Sequence, residues 1–471
     1  MLYDLLYPYQ KTIVNDLKNY DSNALFMDVG TGKSITSLAL FEQKQVQNKC
    51  NKLLIICLCA KVEEWKEDCE KWFPFSDVIV LDKPKMREKF RKGDYDIAII
   101  NFEKTWRNND LLLIGNKTMI IVDESHKIKS SETKVGKFMQ LLCECTPYKT
   151  ILTATPMGNG YIDLYNQLYF LGLESHSLKS FKEKYCNEKL VYIPGMKPFK
   201  QIVGYHNTEE LDLVVNKYAR YYERKLDDEL VPEEVMVPIK LDEKYNKIAR
   251  ERVYKDIVLD KIGMKRVALK SLCSGTLIGN ALDDENNDLH REYQLNTYKL
   301  DWVKSFLEDF NDRVVIFYMY DHQRDQLYDM ITNKLKRPCA RYCSAYKEKD
   351  VFENNDKAVC LVQYKSGSTG VDWLKKSYIG IFYSLPDSYI EFYQAKGRLN
   401  RVGQTKKPLY YLLVSKGKYS VDGMNYDALM SKQDFNDEFF EEKMQKIEEE
   451  VWQKQWTLRK LLITFLVSHV N

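Results

Sequence analysis

A glycine-containing segment, Met27 to Ser34, has the residue types of a phosphate-binding loop. It lies between an apolar run, Ala24 to Met27, and a helix-patterned run, Ile35 to Phe41. Glycines let consecutive backbone N–H groups point at an anion, and the start of a helix adds the positive end of its dipole. Lys33 can reach the outer phosphates, and the Ser34 hydroxyl can bind Mg²⁺. The segment therefore predicts a site for a nucleoside triphosphate.

The loop departs from the full pattern G-x-x-x-x-G-K-[ST], because Met27 stands where the first glycine belongs. By itself, the segment could be a turn that only joins a strand to a helix. A second chemical group elsewhere in the chain has to decide between these interpretations.

Two carboxylates at the end of another apolar strand supply that group. Met119 to Val122 predicts a buried strand, and it leads directly into Asp123, Glu124, Ser125 and His126. Asp123 can hold Mg²⁺, usually through water, and Glu124 can orient and deprotonate an attacking water. Chance acidic pairs are common in a chain with 68 acidic residues, but few follow four apolar residues in a parallel-strand context. With Lys33, the pair indicates a nucleotide-hydrolysis site.

Bulk composition bounds the class of protein. The chain has 471 residues, of which 44% are hydrophobic and 30% charged, so we expect two or three globular domains. A net charge of +3 indicates no global field for nucleic acid, and any such surface must be a local groove. Eleven cysteines without a C-x-x-C pair favour packing in a reducing compartment, and we expect a cytoplasmic protein without zinc. The sequence supports neither secretion nor a membrane span.

Other apolar runs also end in polar residues. Leu53 to Leu58 is followed by Lys61, and Ile97 to Ile100 by Asn101; Ile151 and Leu152 lead into Thr153. These runs alternate with helical patterns, which predicts an α/β fold with a doubly wound parallel sheet whose functional residues lie at the carboxyl ends of the strands. In the helix after Lys61, we interpret the aromatic stripe, which contains Trp65 and Trp72, as core.

A second parallel-sheet pattern begins near Val314, without a phosphate loop of its own. Between and after its strands are two polar segments, Ser366 to Asp372 and Gln394 to Gln404. Within the latter, Arg398 and Arg401 are three residues apart, which on a helix places them one turn from each other, facing one target. Two arginines on a solvated helix face are the alternative. The glycines and glutamines around them favour arginine fingers that act on a bound triphosphate.

The motifs, taken in order, resemble those of the superfamily two helicases, and finer features resemble the Swi/Snf-type DNA translocases. The finer features are L-x-P-Y-Q before the loop, the helix from Glu64-Trp65 to Pro74, and R-V-G-Q at the end. The resemblance covers about Leu6 to Gln404. The shared motifs are Gln10, G-T-G-K-S, D-E-S-H, T-A-T-P, G-S-T-G-V-D and Q-A-K-G-R-L-N-R-V-G-Q.

The resemblance implies a motor that uses ATP and Mg²⁺, has two RecA-like lobes and steps along duplex DNA. It assigns catalysis to Lys33, Asp123, Glu124, Arg398 and Arg401, and Mg²⁺ to Ser34 and Asp123. Contacts with the DNA backbone, or coupling to it, fall on Lys61, Asn101, Thr153 and Thr369. The residues expected to bind ATP are Gln10, whose amide could read adenine, Gly30, Thr31, Gly32, Lys33, Ser34, Asp123, Gly370 and Asp372.

The resemblance and the chain pattern together predict three regions. Lobe one spans 1–241 with a helical insertion at about 173–225, lobe two spans 242–433 with a helical start at about 242–295, and 434–471 forms a helical tail. Asp372 replaces the usual Asn of its motif, which weakens the coupling role expected there. Because no chromatin-reading module is seen, we expect partner proteins for targeting. The excess of lysine over arginine favours a low-GC bacterium or its phage as the source.

Two rival functions remain open at this stage. A strand-separating DNA or RNA helicase of the same superfamily would share the ATP chemistry and add a wedge element. A DNA-binding scaffold switched by ATP would turn the nucleotide over negligibly. The presence of Glu124, Arg398 and Arg401 argues against the scaffold, because a pure switch has no need of all three.

Overall fold

The chain folds into two compact units, each built around its own parallel sheet. In the computed structural model, the units span Met1–Leu226 and Asp227–Asn471. The structure describes residues 1–158, 160–191, 198–223, 230–282, 288–364, 372–401 and 403–450.

The strands of the first unit are β1 (Ser22–Met27), β2 (Lys52–Cys57), β3 (Val78–Val80), β4 (Ile97–Asn101), β5 (Thr118–Asp123), β6 (Lys149–Thr153), β7 (Cys186–Val191), β8 (Phe199–Tyr205) and β9 (Ala219–Tyr222). Seven of them form a parallel sheet in the order β3-β4-β2-β5-β6-β1-β9. Along β2, Leu54 and Ile56 face one core while Leu53 and Ile55 face the other. Both faces are covered, which is why the central strands are continuous apolar runs.

Helices cover both faces of this sheet, as the alternating sequence pattern predicts. The pairings of β5 with β6 and of β6 with β1 place the carboxyl ends of these strands side by side, with Asp123 opposite Leu152 and Phe26 opposite Thr153. The helices are α1 (Pro8–Leu17), α2 (Lys33–Val46), α3 (Val62–Trp72), α4 (Pro84–Arg91), α5 (Phe102–Thr105), α6 (Lys134–Leu142), α7 (Tyr165–Leu171), α8 (Leu178–Tyr185) and α9 (Thr208–Tyr218).

The insertion expected to be helical at about 173–225 is only partly so. Helices α8 and α9 flank an antiparallel hairpin of β7 and β8, and β9 pairs in parallel with β1 as the edge of the main sheet. The sequence predicts helix throughout this insertion. Ile202, Val203 and Tyr205 instead have side chains that favour a pleated, half-buried strand, and pairing decides their conformation.

The second unit has a six-stranded parallel sheet. Its strands and those of two smaller pairs are β10 (Glu233–Lys240), β11 (Val253–Tyr254), β12 (Ile257–Val258), β13 (Thr276–Leu282), β14 (Asp288–Gln294), β15 (Val314–Tyr318), β16 (Cys339–Tyr342), β17 (Val359–Gln363), β18 (Ile379–Phe382) and β19 (Leu409–Lys416). The sheet order is β10-β19-β18-β15-β17-β16.

This order corrects the expected boundary between the lobes. We had placed 233–241 at the end of lobe one, but β10 pairs with β19 along its whole length, from Glu233 opposite Leu409 to Lys240 opposite Lys416. The division between the units therefore falls before β10 rather than after it. An isolated strand carries no local signal of the sheet that it joins, because its partner lies far away in sequence.

The start of the second unit is mixed rather than helical over 242–295, since it contains the antiparallel pairs β11/β12 and β13/β14. In the tail, 437–450 is helical, and Phe435, Phe440 and Met444 are buried in a small core with Tyr245 and Leu269. Trp452, Trp456 and the rest of the tail lie outside the described residues.

The helices of the second unit are α10 (Tyr245–Glu251), α11 (Ile262–Leu272), α12 (Tyr298–Asp309), α13 (Asp321–Asp329, continued by a π-turn at Met330–Lys334), α14 (Lys349–Glu353), α15 (Tyr389–Leu399), α16 (Val421–Met430) and α17 (437–450).

No helix within the described ranges is both long and apolar enough to cross a bilayer. The cysteines are thiols, and all except Cys59 and Cys145 are buried.

Candidate nucleotide site and nucleic-acid groove

The phosphate loop lies where the sequence predicts it, between the end of β1 and the start of α2. Gly30 and Gly32 both have a positive φ, 77° and 79°, a conformation that glycine adopts without strain. A Cβ on Gly32 would also overlap the side-chain amide of Gln10. Both the backbone conformation and the available space therefore require glycine at position 32.

Lys33 is held inside this loop. Its Nζ donates to the carbonyl oxygens of Met27 at 2.9 Å and Asp28 at 3.1 Å. Burial lowers the pKa of Lys33, while the nearby carboxylates of Glu124 and Asp123 act in the opposite direction. The ammonium group is thus oriented by the backbone next to the two acids, as a phosphate-binding lysine requires.

Gln10 ties helix α1 to the loop. Its Oε1 accepts from the Tyr7 N–H at 2.9 Å, and its Nε2 donates to the Thr31 carbonyl at 3.1 Å. The Tyr9 hydroxyl donates to the same carbonyl at 2.8 Å, and Thr31 Oγ1 donates to the Asp28 carbonyl at 2.7 Å. The structure thus shows Gln10 positioning the loop, and its recognition of adenine stays a prediction.

Asp123 is the last residue of β5, and both of its carboxylate oxygens are engaged. Oδ2 accepts from the indole Nε1 of Trp65 at 2.9 Å, and Oδ1 accepts from the Glu124 N–H at 3.0 Å. Burial and the charge of Glu124 raise the pKa of Asp123, whereas Lys61 and the Trp65 hydrogen bond oppose that rise. The carboxylate is therefore fixed in one orientation.

Glu124 lies just beyond the strand with φ 52°, which is uncommon for a residue with a side chain. Its Oε2 is 3.3 Å from His126 Nδ1. Burial opposes ionisation of this carboxyl, but the neighbouring His126, Lys33 and Lys61 act in the opposite direction and keep its pKa below the ordinary value. Glu124 is consequently an anion at neutral pH. Its side-chain direction is set by a backbone conformation that is unfavourable for a residue with a Cβ.

The groups near the loop fit Mg²⁺. Ser34 is the second residue of α2, and its hydroxyl makes no hydrogen bond within the described part of the chain. Asp123 adds a carboxylate whose orientation is already fixed. Hydroxyl and carboxylate oxygens are the donors that Mg²⁺ prefers. Ser34 and Asp123 are thus suitable residues to hold the ion.

Thr153, at the end of β6, is fully buried. Its Oγ1 accepts from the Thr155 N–H at 3.1 Å and lies 3.5 Å from His126 Nδ1. The hydroxyl contacts other protein groups, and the predicted role of Thr153, contact with the DNA backbone or coupling to it, stays a prediction.

Lys61 and Asn101 lie at the carboxyl ends of β2 and β4. Lys61 Nζ pairs with Glu64 Oε1 at 2.7 Å, close enough to the hydrolysis site to influence both acids. Asn101 caps α5, its Oδ1 accepting from the Lys104 N–H at 2.9 Å, and it also lines an open groove of about 600 Å³. The groove carries the ammonium groups of Lys66, Lys83 and Lys104 together with the carboxylates of Glu63 and Asp82.

The predicted arginines belong to the second unit, and the structure corrects their placement. Helix α15 ends at Leu399, so Arg398 lies in its last turn and Arg401 lies beyond it. Arg398 is buried, and Arg401 Nε donates to the Gly397 carbonyl at 3.1 Å. The loop after the helix is organised by Gln404, whose Nε2 donates to the carbonyls of Lys375, Ser377 and Leu399. The two arginines are close in sequence without sharing one helical face.

Three predicted residues cannot be placed in this way. Thr369 and Gly370 lie outside the described residues. Asp372 starts a short 3₁₀ turn, Asp372–Lys376, but its side chain is not among those described. Their roles remain predictions.

Sequence reasoning missed two residues of the site. Trp65 was interpreted as core because of its helical spacing, although a buried indole N–H needs an acceptor and could have been expected to have one. Gln167 accepts from Ser125 Oγ at 2.7 Å and donates to the carbonyls of Pro156 and Asp163. It thereby joins the segment after β5 to the segment after β6, a contact that no local pattern indicates.

Comparison with known proteins identifies the family. The family model for the SNF2-related domain matches residues 9–271, which is more than half of the chain. Among curated relatives, the CHD3-type chromatin-remodeling factor PICKLE of Arabidopsis thaliana is 22% identical over 477 residues, covering 88% of this chain and 33% of that protein. The transcription regulatory protein SNF2 of Saccharomyces cerevisiae is 26% identical over 181 residues, or 36% of this chain and 10% of that protein.

The chain thus spans about a third, or less, of the length of these relatives. An uncharacterized ATP-dependent helicase of Bacillus subtilis, YqhH, is 22% identical over 417 residues, covering 83% of this chain and 71% of that protein. PICKLE and SNF2 are eukaryotic proteins. These matches do not support the phage or bacterial source that the excess of lysine over arginine favours.

A solved structure, the Sulfolobus solfataricus SWI2/SNF2 ATPase core in complex with dsDNA, covers 90% of this chain and 91% of its own at 21% identity, with a TM-score of 0.43. The two parallel sheets of this chain are established by its own strand pairings. The family-model match and the arrangement of Lys33, Asp123 and Glu124 both indicate an ATPase domain. The chain belongs to the SNF2-related domain family, whose ATPase domain it carries.

Proposed function

We propose that this chain is a motor that hydrolyses ATP in response to duplex DNA and uses the energy to move along the duplex. The observation that supports the proposal is the hydrolysis set of the first unit. Lys33 is oriented in the loop, Asp123 is fixed at the end of β5, and Glu124 is held as a buried anion.

Each residue of this set has a separate task in phosphoryl transfer. Lys33 neutralises charge on the outer phosphates in the bound state and in the transition state. Glu124 orients the attacking water with a carboxylate whose lowered pKa keeps it ionised at neutral pH. Mg²⁺, held by Ser34 and Asp123, would neutralise charge that develops on the phosphate oxygens.

Arg398 and Arg401 are the residues that would make hydrolysis depend on bound DNA. Arg398 and Arg401 belong to a different unit from the phosphate loop. We propose that DNA stimulates hydrolysis by promoting a closed state in which these arginines act on the nucleotide bound by the first unit. Hydrolysis is then slow without DNA and rises when DNA is bound.

The proposed DNA contacts are suited to phosphates rather than to base edges. In the first unit, the groove that Asn101 lines is also lined by lysines, and Lys61 ends the short 3₁₀ turn that follows β2. Such groups bind any sequence, and they release counterions as they do so. Binding to random duplexes should therefore be nearly independent of sequence and should weaken steeply between low and moderate salt.

One experiment tests the proposal and separates it from its rivals. The steady-state ATPase rate is measured with duplex DNA, single-stranded DNA and RNA at fixed salt, and displacement of a third strand from a triplex reports movement without strand separation. We expect the strongest stimulation, and displacement, with duplex DNA. A rate indifferent to every nucleic acid would contradict the proposal, and unwinding of a forked duplex or stimulation by RNA alone would favour a strand-separating helicase.

The proposal also covers how the motor reaches its sites of action and the compartment in which it works. We propose that partner proteins direct the motor to its sites of action, since its predicted DNA contacts carry no sequence information. Buried thiols support action in a reducing compartment such as the cytoplasm.

A further inference from the structure

Trp65 makes a contact that its place in the apolar stripe of α3 does not require. The indole is buried, with 1% of its surface exposed, and it packs in the core on one face of the first sheet. Its Nε1 nevertheless points out of that core toward the end of β5, 2.9 Å from Asp123 Oδ2. A phenylalanine would fill most of the same space without this hydrogen bond.

The contact acts on the one carboxylate that is assigned to magnesium. A hydrogen bond from a neutral donor to an ionised acceptor is about twice as strong as one between neutral groups. Because Oδ1 accepts from the Glu124 N–H while Oδ2 accepts from Trp65, rotation of the carboxylate about its terminal bond is opposed at both oxygens. The Glu124 contact is local, whereas Trp65 reaches Asp123 from 58 residues away and ties its orientation to helix α3.

We propose that Trp65 is a positioning residue that orients Asp123 for the magnesium–nucleotide complex. It touches neither nucleotide nor ion and acts through the carboxylate. Partners of this kind, which hydrogen-bond to a metal ligand, typically change metal affinity by about 10-fold to about 100-fold when they are removed. The inference rests on the magnesium site of the proposed function.

Helix α3 offers a matched control. Trp72 lies in the last turn of the same helix, is half-buried and packs against the same core, but its indole donates no hydrogen bond in the described part of the chain. Trp65→Phe removes an indole and a hydrogen bond, whereas Trp72→Phe removes an indole alone. A second Trp65 variant, with benzothienylalanine in place of tryptophan, keeps the ring shape and replaces the N–H by sulfur.

The test is the effect of magnesium on nucleotide binding by the full chain. Affinity for a fluorescent ADP is measured in saturating Mg²⁺ and again in EDTA, and the ratio of the two dissociation constants gives the gain due to magnesium. We expect Trp65→Phe and the benzothienylalanine variant to lower this gain by about tenfold or more while affinity in EDTA stays within about twofold of wild type. Trp72→Phe should keep the gain, and the Mg²⁺ concentration for half-maximal ATPase should rise only in the Trp65 variants.

Three results would overturn the inference. The first is a full magnesium gain in both Trp65 variants. The second is an equal loss of affinity with and without magnesium, which would show a structural defect, and the third is the same loss of gain in Trp72→Phe. A wild-type chain without any magnesium gain would instead remove the magnesium assignment of the proposed function, and this inference with it.

Discussion

Buried charge is arranged differently in the two units. In the first unit, Asp123 and Glu124 lie at the end of β5 and Lys33 begins α2, and the hydrogen bonds that hold Lys33 and Asp123 involve backbone groups and an indole. In the second unit, Lys299 and Asp422 pair directly at 2.6 Å, and Lys299 also donates to the Tyr383 carbonyl at 2.9 Å. Both members of this second pair are almost completely buried.

A second cluster of paired charges lies in the same unit. Asp387 accepts from Lys270 and from Arg266, and Arg266 also pairs with Asp437, the first residue of the tail helix α17. Although burial opposes ionisation of Asp387, these two cations lower its pKa.

The difference follows from what each set of charges must do. A site that binds a polyanion and a cation has to keep charge available, and Lys33 and Asp123 are accordingly oriented by neutral partners. Charges that join α12 to α16, or α11 to the tail, have no ligand to meet and neutralise each other. The comparison predicts that mutations in the first set impair chemistry and spare the fold, whereas mutations in the second set impair the fold.

The largest effect is expected from a pair of variants that fail at different steps. Lys33→Ala should weaken both nucleotide binding and turnover, because Lys33 contacts the bound ground state. Arg401→Ala should leave nucleotide binding largely intact and lower the DNA-stimulated rate by about 10³ to about 10⁵, the usual value of an arginine finger. Fluorescent-nucleotide binding and steady-state ATPase at saturating duplex measure the two effects.

DNA binding and melting temperature serve as controls and should stay near wild type in both variants. If Arg401→Ala keeps more than about a tenth of the rate, the assignment passes to Arg398.

The next effect concerns the buried anion of the first unit. Glu124→Gln removes the charge that orients water and keeps the side-chain shape, so hydrolysis should fall by about 10² to about 10⁴. Nucleotide affinity should be retained, because Glu124 holds no part of the phosphate loop. A single-turnover experiment measures the chemical step directly. Unchanged turnover would show that another group orients the water.

A third prediction tests the closed pair of the second unit. Lys299→Met leaves Asp422 buried without its cation, which typically costs about 3 to about 5 kcal/mol. Amide hydrogen exchange should accelerate by at least about a hundredfold in β18 and β19 and change little in β5. Replacing both residues, Lys299→Met with Asp422→Leu, should restore most of the protection.

Lys44→Met in the first unit is the matched control, because Lys44 is equally buried but donates to the Tyr20 carbonyl rather than to an acid. If Lys299→Met accelerated amide hydrogen exchange only in the first unit, the comparison between the two units would be wrong.

The smallest effect is a pH-dependent one on α3. Burial and the neighbouring Glu64 raise the pKa of Asp68 to about 6. Because the folded-state pKa lies above the unfolded value of about 3.9, the native state is favoured by the neutral acid and loses stability as the pH rises from about 4 to about 6. Asp68→Asn should therefore raise the melting temperature by about 2 °C at pH 8 and by about half as much at pH 5.

Glu67→Gln, an exposed substitution on the same helix, is the control and should leave the melting temperature unchanged at both pH values. An equal shift of Asp68→Asn at pH 5 and pH 8 would show that charge is not the cause.

Elements that depend on short-range rules could be predicted from the amino-acid sequence. Gly30, Gly32 and Lys33 specify a loop through φ, space and charge within a few residues, and the apolar run before Asp123 specifies a strand buried on both faces. The loop and the strand are each encoded in a window shorter than about 20 residues, where composition and period suffice. The order of the motifs along the chain was then enough to indicate the ATPase family and the doubly wound sheets.

Contacts between groups that are distant in sequence could not be predicted in this way. No local rule assigns β10 to the second sheet, ends α15 before Arg401 or places β9 beside the phosphate loop, because each depends on a partner tens to hundreds of residues away. Trp65 is the clearest case. Its spacing in helix α3 marks it correctly as core, but the acceptor for its N–H is Asp123 of strand β5, 58 residues away. The strand order brings Asp123 to the indole, and that order is set by the summed packing of the whole unit rather than by any one segment of the chain.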